Sequence, residues 1–364
     1  MIRNEKINSL QFIFIIVQLQ VGVGILTMPY DIYNKAGGDS WLSILLAGLF
    51  IQVLLTGFHF LMKAYPNDHF FTIIQKVFGR VIGNVLILIY IMYFIVLAMS
   101  LLSRYASILS TWMMPLTPKW ILISLMTVIV VYGAMDGLET IGRFLFIASF
   151  ILIVYVGFSI YALKFMQITY VLPVLNEGFS NMVKGIFPSL YAMQGFEVVL
   201  FIYPFLRQKS LNAYSIATIS NSIVTLLYTF IVFTTIVFLS PEEIILTPEP
   251  VLYLVKSFSF NMIERPDLLF TSIWIVFVAT SFVVLLFILT EATHTLFHKQ
   301  NRKWMTVFFG LLIFLLTLIP YGVYENKNLF APVNKLIIIF SIIIPLMITG
   351  ISLMKKRKIT HEIH

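Results

Sequence analysis

Apolar runs long enough to cross a bilayer recur from one end of this chain to the other, each closed by charged or polar positions. They fall approximately at Ile7 to Tyr30, Trp41 to Met62, Val81 to Ser103, Trp120 to Met135, Phe144 to Leu163, Gly185 to Leu206, Leu211 to Leu239, Leu268 to Phe297, Trp304 to Tyr321 and Val333 to Met354. A membrane helix needs about 20 predominantly apolar residues, so each run predicts a span. The expected fold is an all-α polytopic membrane protein of ten transmembrane helices, with residues 1–364 forming one domain.

Two of the runs are interrupted. Val21-Gly22-Val23-Gly24-Ile25-Leu26-Thr27-Met28-Pro29 lies inside the first, and Tyr191-Ala192-Met193-Gln194-Gly195-Phe196-Glu197 inside the sixth. Glycine costs a helix backbone entropy and proline removes a donor, so the first helix should break here. A break frees N–H and C=O groups that hydrocarbon cannot satisfy, and it is tolerated beside a polar cavity or ligand. The alternative is that the small residues only let another helix pack closely. Glu197 adds a carboxyl within a span, which by default marks a site. The breaks are separated by about half the chain and so head its two halves. Matching breaks in two halves point to an inverted repeat, here five spans and five, with repeats of about 7–164 and 184–354 and the site between them.

Two connections carry more than a turn. Phe70, Ile73, Ile74, Val77 and Phe78 recur at helical spacing beside Thr72, Gln75 and Lys76, as in a short interfacial helix with a structural role. The loop from Ser240 to Asp267 holds Pro241, Pro248, Pro250 and Pro266 around the apolar run Val251 to Phe260. It reads either as a lid over an outward-facing pocket or as a connection with a surface-lying helix.

Composition agrees with the pattern. Hydrophobic residues make up 60% and charged residues 11%, where a soluble domain carries about a quarter charged. Mean hydropathy is +0.97. The first run lacks a small-residue cleavage site, so it reads as an uncleaved span. There is no cysteine, which excludes disulfides, thiol catalysis and cysteine-based metal sites. The formal charge of +8 reflects orientation, with no nucleic-acid partner implied. Lys and Arg concentrate on the side of the two termini, for example Arg302, Lys303 and Lys355 to Lys358, and are sparser on the side of Lys35, Arg104, Lys119, Lys164 and Lys184. Both termini are therefore expected in the cytoplasm.

Gly22-Val23-Gly24-Ile25 leading to Pro29, together with Gln194-Gly195-Phe196-Glu197, resembles the two unwound motifs of the amino acid, polyamine and organocation transporter superfamily. A closer resemblance is to the spore germination permease family. It is carried by the length, the ten runs, Leu172-Pro173-Val174-Leu175-Asn176-Glu177-Gly178, the run Gly195-Phe196-Glu197-Val198-Val199-Leu200-Phe201, and Ile263-Glu264-Arg265 before Trp274. That resemblance implies the B subunit of a nutrient germinant receptor in the spore inner membrane. It would work beside an A subunit and a lipoprotein C subunit and respond to a small nutrient bound at the breaks.

If the nutrient is an amino acid, N–H groups freed at Gly22, Val23, Gly24 and Ile25 would meet its carboxylate, because a helix N-terminus carries partial positive charge. Carbonyls around Leu19 to Val21 and Met193 to Gly195 would accept from its ammonium. Gln194, Gly195, Phe196 and Glu197 would complete the pocket, with Phe196 or Tyr191 shaping it. Glu197 either binds ligand, acts as a proton-sensitive strut, or bonds neighbouring helices for structure alone. Thr280 and Ser281, midway along the eighth run, either contribute to an ion site against the first helix or bond their own helix carbonyls. Val23 and Ile25 stand where sodium-coupled relatives often have polar side chains, and Phe144 to Leu163 lacks the buried lysine of some proton-coupled ones. This favours a sensor over a pump; the alternative is a proton-coupled secondary transporter. Glu291 and His294 share one helix face near its end and read as interfacial or as an interaction surface, and His59 as a satisfied packing histidine. No phosphate loop, zinc-binding helix or nucleophile elbow occurs, so no enzyme, metal or cofactor is expected.

Overall fold

The computed structural model describes residues 6–207, 212–260, 264–297, 301–319 and 333–361. Leu211, Ile263 and Tyr321, placed above in the seventh run, a family motif and the ninth run, lie outside the described residues. Among the described residues the chain is helical, apart from turns and one isolated parallel bridge between Ile7 and Leu206.

The first interrupted run becomes α1 (Ser9–Gln20) and α2 (Gly24–Ala36). Then follow α3 (Ser40–Ala64), α4 (Phe70–Phe78), α5 (Arg80–Trp112), α6 (Lys119–Ala134), α7 (Leu138–Ala148) and α8 (Leu152–Ala162). The second interrupted run gives α9 (Phe179–Lys184), α10 (Ile186–Ala192) and α11 (Val199–Ile202). Beyond it lie α12 (Ala213–Phe238), α13 (Pro241–Leu246), α14 (Pro250–Lys256), α15 (Pro266–Phe297), α16 (Arg302–Thr317) and α17 (Val333–Lys355).

Among the described residues six helices are long and apolar enough to cross a membrane, or seven if the bent pair Phe179–Ala192 and Phe196–Phe205 is one span. The chain is thus a multi-pass helical membrane protein. The tally is lower than ten for physical reasons. The glycine break leaves α1 only 12 residues long, α6 and α16 have 16 each, and α2 runs on through a short 3₁₀ turn into α3 as one 41-residue stretch.

The core is organised around α15, apolar on every side. It is 78% buried over its hydrophobic window, against 33% to 56% for the other long helices, and it packs against α1, α5, α6, α7, α14 and α16. The surrounding helices turn Leu49, Val53, Val81, Met92, Val128 and Ile153 outward, where acyl chains take the place of a protein core. At one end of the bundle, Ile7 N–H donates to the Phe205 carbonyl and Arg207 N–H to the Ile7 carbonyl, both at 2.8 Å. Lys355 Nζ donates to the Val77 carbonyl on the short helix α4, whose Phe70, Phe71, Ile73, Ile74 and Val77 are buried. This is the amphipathic element the periodicity predicts.

The described part of the proline-rich connection packs onto the bundle. Ser240 and Glu243 form a capping box at the start of α13. In α14, Val251, Leu252, Leu254 and Val255 are buried against α2, α12 and α15. An apolar run this dense gains more from packing than from lying on a surface.

The two interrupted helices touch at Gly195, which has φ +114° and ends the first part of the bend. A Cβ there would lie 2.9 Å from Leu19 Cγ and 3.0 Å from the Leu19 carbonyl carbon. Gly195→Ala therefore combines a strained backbone with a clash and is expected to cost about 1–3 kcal/mol. Gly157→Ala, on a helix with open space around it, should be neutral or stabilise by up to about 1 kcal/mol. Melting midpoints of the two variants in detergent test this; equal midpoints would contradict the close contact.

Candidate functional site

A helix that stops inside a membrane leaves carbonyls without partners, and here each stop is met by a named donor. Tyr228 Oη donates to the Gln20 carbonyl at 2.8 Å, and Ser281 Oγ to the Gln18 carbonyl at 3.0 Å. Across the gap, Gln20 Nε2 donates to the Met193 carbonyl at 3.0 Å, joining one break to the other. Pro29 does not stop the helix, as it sits inside α2; the interruption lies at Val21 to Val23, where α2 begins without a side-chain cap. Its first N–H groups therefore lack the capping oxygen that most helix starts use.

The second break is organised by Glu197, 5% exposed. Its Oε2 accepts from Gly195 N–H at 3.0 Å and its Oε1 from Ser341 Oγ at 2.8 Å. Ser341 lies in a π-turn, Ile339–Ile343, inside α17. The same turn offers the Phe340 carbonyl to Tyr90 Oη at 3.0 Å. Tyr93 Oη accepts from Gln194 Nε2 at 2.9 Å and lies 3.4 Å from Ser341 Oγ. Both carboxylate oxygens thus have protein donors: Glu197 ties the second break to α17, and Tyr90 and Tyr93 bring α5 to the same turn. π-turns inside helices are rare and recur at functional sites.

A third interruption lies between α7 and α8, where Ser149–Ile151 is a 3₁₀ turn. Gln18 Nε2 donates to Ser149 Oγ at 2.9 Å, and Thr280 Oγ1 donates to Gln18 Oε1 at 2.8 Å. Thr280 and Ser281 also reach the Phe277 carbonyl of their own helix at 2.9 Å. Each hydroxyl thus lies between a carbonyl of its own helix and an acceptor at the end of α1, with one proton to share between them.

Beside the breaks lies a cavity of about 570 Å³. Gly22, Val23, Gly24, Gln194, Gly195, Glu197, Tyr191 and Ser281 line it. Ile25, Phe196 and Thr280 do not. Ile25 is fully buried, Phe196 stacks on Phe58 at 6.2 Å, and Thr280 turns to Gln18. The carbonyls of Gln20 and Met193, expected as acceptors for a ligand, each already accept a protein donor. Gly24 is closely backed: a Cβ there would lie 3.1 Å from Ala192 Cα.

Several residues of the site escape a reading of the sequence. Ser341 and Tyr93 look like ordinary positions in apolar runs, and nothing local links them to Glu197. Gln18 and Gln20 carried a usable signal, two amides in an apolar helix just before the glycines. His59 packs on Tyr214 with ring centroids 5.0 Å apart, and its Nδ1 has no hydrogen-bond partner among the described residues. Packing holds it, without the satisfaction expected of it. Glu291 lies 3.9 Å from the Arg302 guanidinium.

The chain is similar to known proteins both in sequence and in fold. It is 24% identical over 273 residues to the spore germination protein GerQB of Bacillus cereus, covering 75% of each chain. It is 25% identical over 330 residues to the spore germination protein YndE of Bacillus subtilis (strain 168), covering 89% of each. Among solved structures it superposes on MhsT in complex with L-phenylalanine with a TM-score of 0.64, at 16% identity, covering 95% of this chain and 89% of that one. It therefore has a transporter fold, with both interrupted helices where the sequence puts them. The family described as spore germination protein matches residues 6–323, and the chain belongs to that family.

Proposed function

We propose that this protein is the B subunit of a nutrient germinant receptor, a non-enzymatic sensor that binds a small molecule, most simply an amino acid, between the two broken helices. The observation that carries the reading is the meeting of both breaks beside one cavity, with the uncapped start of α2 at Gly22, Val23 and Gly24 in its wall. A carboxylate placed there would accept N–H bonds at the positive end of the helix dipole. The complex of MhsT with L-phenylalanine, on the same fold, supports a ligand of that class. The reading takes the chain as one domain of ten spans in two inverted repeats, about 7–164 and 184–354. It places the protein in the spore inner membrane with both termini cytoplasmic, beside an A subunit and a lipoprotein C subunit.

The mechanism uses Glu197 as a strut. Ligand at the breaks favours one arrangement of α2 and α10, and the bonds from Glu197 to Gly195 and Ser341 carry the change to α17. The shift a ligand can cause is limited to its difference in affinity between the two arrangements. A proton-coupled permease is the second reading, favoured by the same Glu197 inside the bundle.

Binding and uptake separate the two. Purified protein in liposomes should bind labelled amino acids saturably and accumulate none above protein-free vesicles under an imposed pH gradient. Gly24→Trp, which cannot fit against Ala192, should lose the binding at least tenfold; unchanged binding would remove the ligand from this cavity. Gradient-driven accumulation abolished by Glu197→Gln would establish the permease instead.

Glu197→Gln has a second readout. A glutamine keeps one acceptor but turns an amide donor toward either Gly195 N–H or Ser341. It should lower stability by about 1–3 kcal/mol. Ser341→Ala, which leaves one carboxylate oxygen short of a donor, should cost a similar amount, and the double variant Glu197→Gln/Ser341→Ala less than the sum of the two. Additive losses in thermal melts would argue against the strut.

A further inference from the structure

The breaks and the Glu197 network account for the floor of the cavity and leave its mouth unexplained. Lys35 near the end of α2, Arg104 in α5 and Lys184 at the end of α9 come from separate parts of the chain, yet all line the same cavity, with Asp31 among them. All three cations are exposed, so their placement costs little desolvation. Lys184 Nζ is held by Asn181 Oδ1 at 2.9 Å. Among the described lining residues the mouth carries three cations and one carboxylate, while Glu197 lies at the floor with both oxygens engaged. Orientation in the membrane does not account for them, because in the topology proposed above they stand on the side where Lys and Arg are sparser.

A cleft with low-dielectric walls focuses the field of the charges at its rim. An excess of one sign there raises the local concentration of oppositely charged solutes and their rate of entry by about 10–10³-fold, an effect that salt screens. We infer that Lys35, Arg104 and Lys184 form a cationic vestibule that selects solutes bearing an anionic group and admits them from the end of the bundle opposite Ile7 and Lys355. The inference rests on the cavity being the ligand site and adds the charge class of what enters it.

The chain has no cysteine, so one can be introduced as a reporter without background. Thr27 lines the cavity between the mouth and the breaks. In Thr27→Cys, purified and reconstituted, the rate of modification by an anionic sulfonatoethyl methanethiosulfonate and by its cationic trimethylammonioethyl counterpart would each be normalised to the rate with a free thiol in solution. The anionic reagent should be favoured about tenfold at low salt, and the preference should shrink at high salt. The triple change Lys35→Gln, Arg104→Gln and Lys184→Gln should abolish it. Each single change should move it part of the way, so the test survives a triple variant that does not fold. Equal normalised rates in the parent, or a preference indifferent to the changes, would overturn the vestibule. Failure of Thr27→Cys to react even with a neutral reagent of the same type would overturn the cavity itself as an accessible site.

Discussion

Every structural choice at the centre of this protein answers one constraint: in hydrocarbon, a backbone group released from its helix must find a partner inside the protein. α1 stops at Gln20 and α10 at Ala192. The carbonyls that these stops release are met by Tyr228, Ser281 and Gln20. Two further helices, α12 and α15, thus become obliged to converge on the breaks. The 3₁₀ turn at Ser149 and the π-turn at Ser341 belong to the same matching of donors and acceptors.

From this constraint follows the division of labour among the helices. α15, buried on nearly all sides, is the fixed post to which the end of α1 is tied through Thr280 and Ser281. The second break is tied instead to α5 and α17, through Glu197, Tyr93 and Ser341. The two breaks therefore answer to different parts of the bundle while sharing one cavity wall. That arrangement would let a small molecule bound there act on both at once, as the proposed sensor requires.

Gly195 and Gly24 show how little room the arrangement leaves. One is in the left-handed region with Leu19 against it, and the other faces Ala192. Their lack of a side chain is a packing requirement as much as a helix-breaking one. In the same way, Tyr228 and Tyr90 are large aromatic residues in the core whose hydroxyls each reach a freed carbonyl. Burial of the ring and satisfaction of the backbone are achieved by one side chain.

The sequence by itself determined the class of the molecule, the two breaks and the acid at the second, because these depend on composition and on local backbone chemistry. Twenty-residue apolar runs can only be spans or a buried core, and the Gly-x-Gly of the first and the glycine beside an acid in the sixth mark where a helix is weakest. The amphipathic α4 was legible for the same reason. Only the tertiary structure decided what meets the breaks. Ser341, Tyr93 and Tyr228 are distant in the chain from the groups they serve, and a hydroxyl in an apolar run looks the same whether it bonds its own helix or another. It also removed Ile25, Phe196 and Thr280 from the cavity wall and seated α14 in the core. Which face of a segment turns inward is set by its neighbours in space, and periodicity cannot report this where a helix is apolar all round.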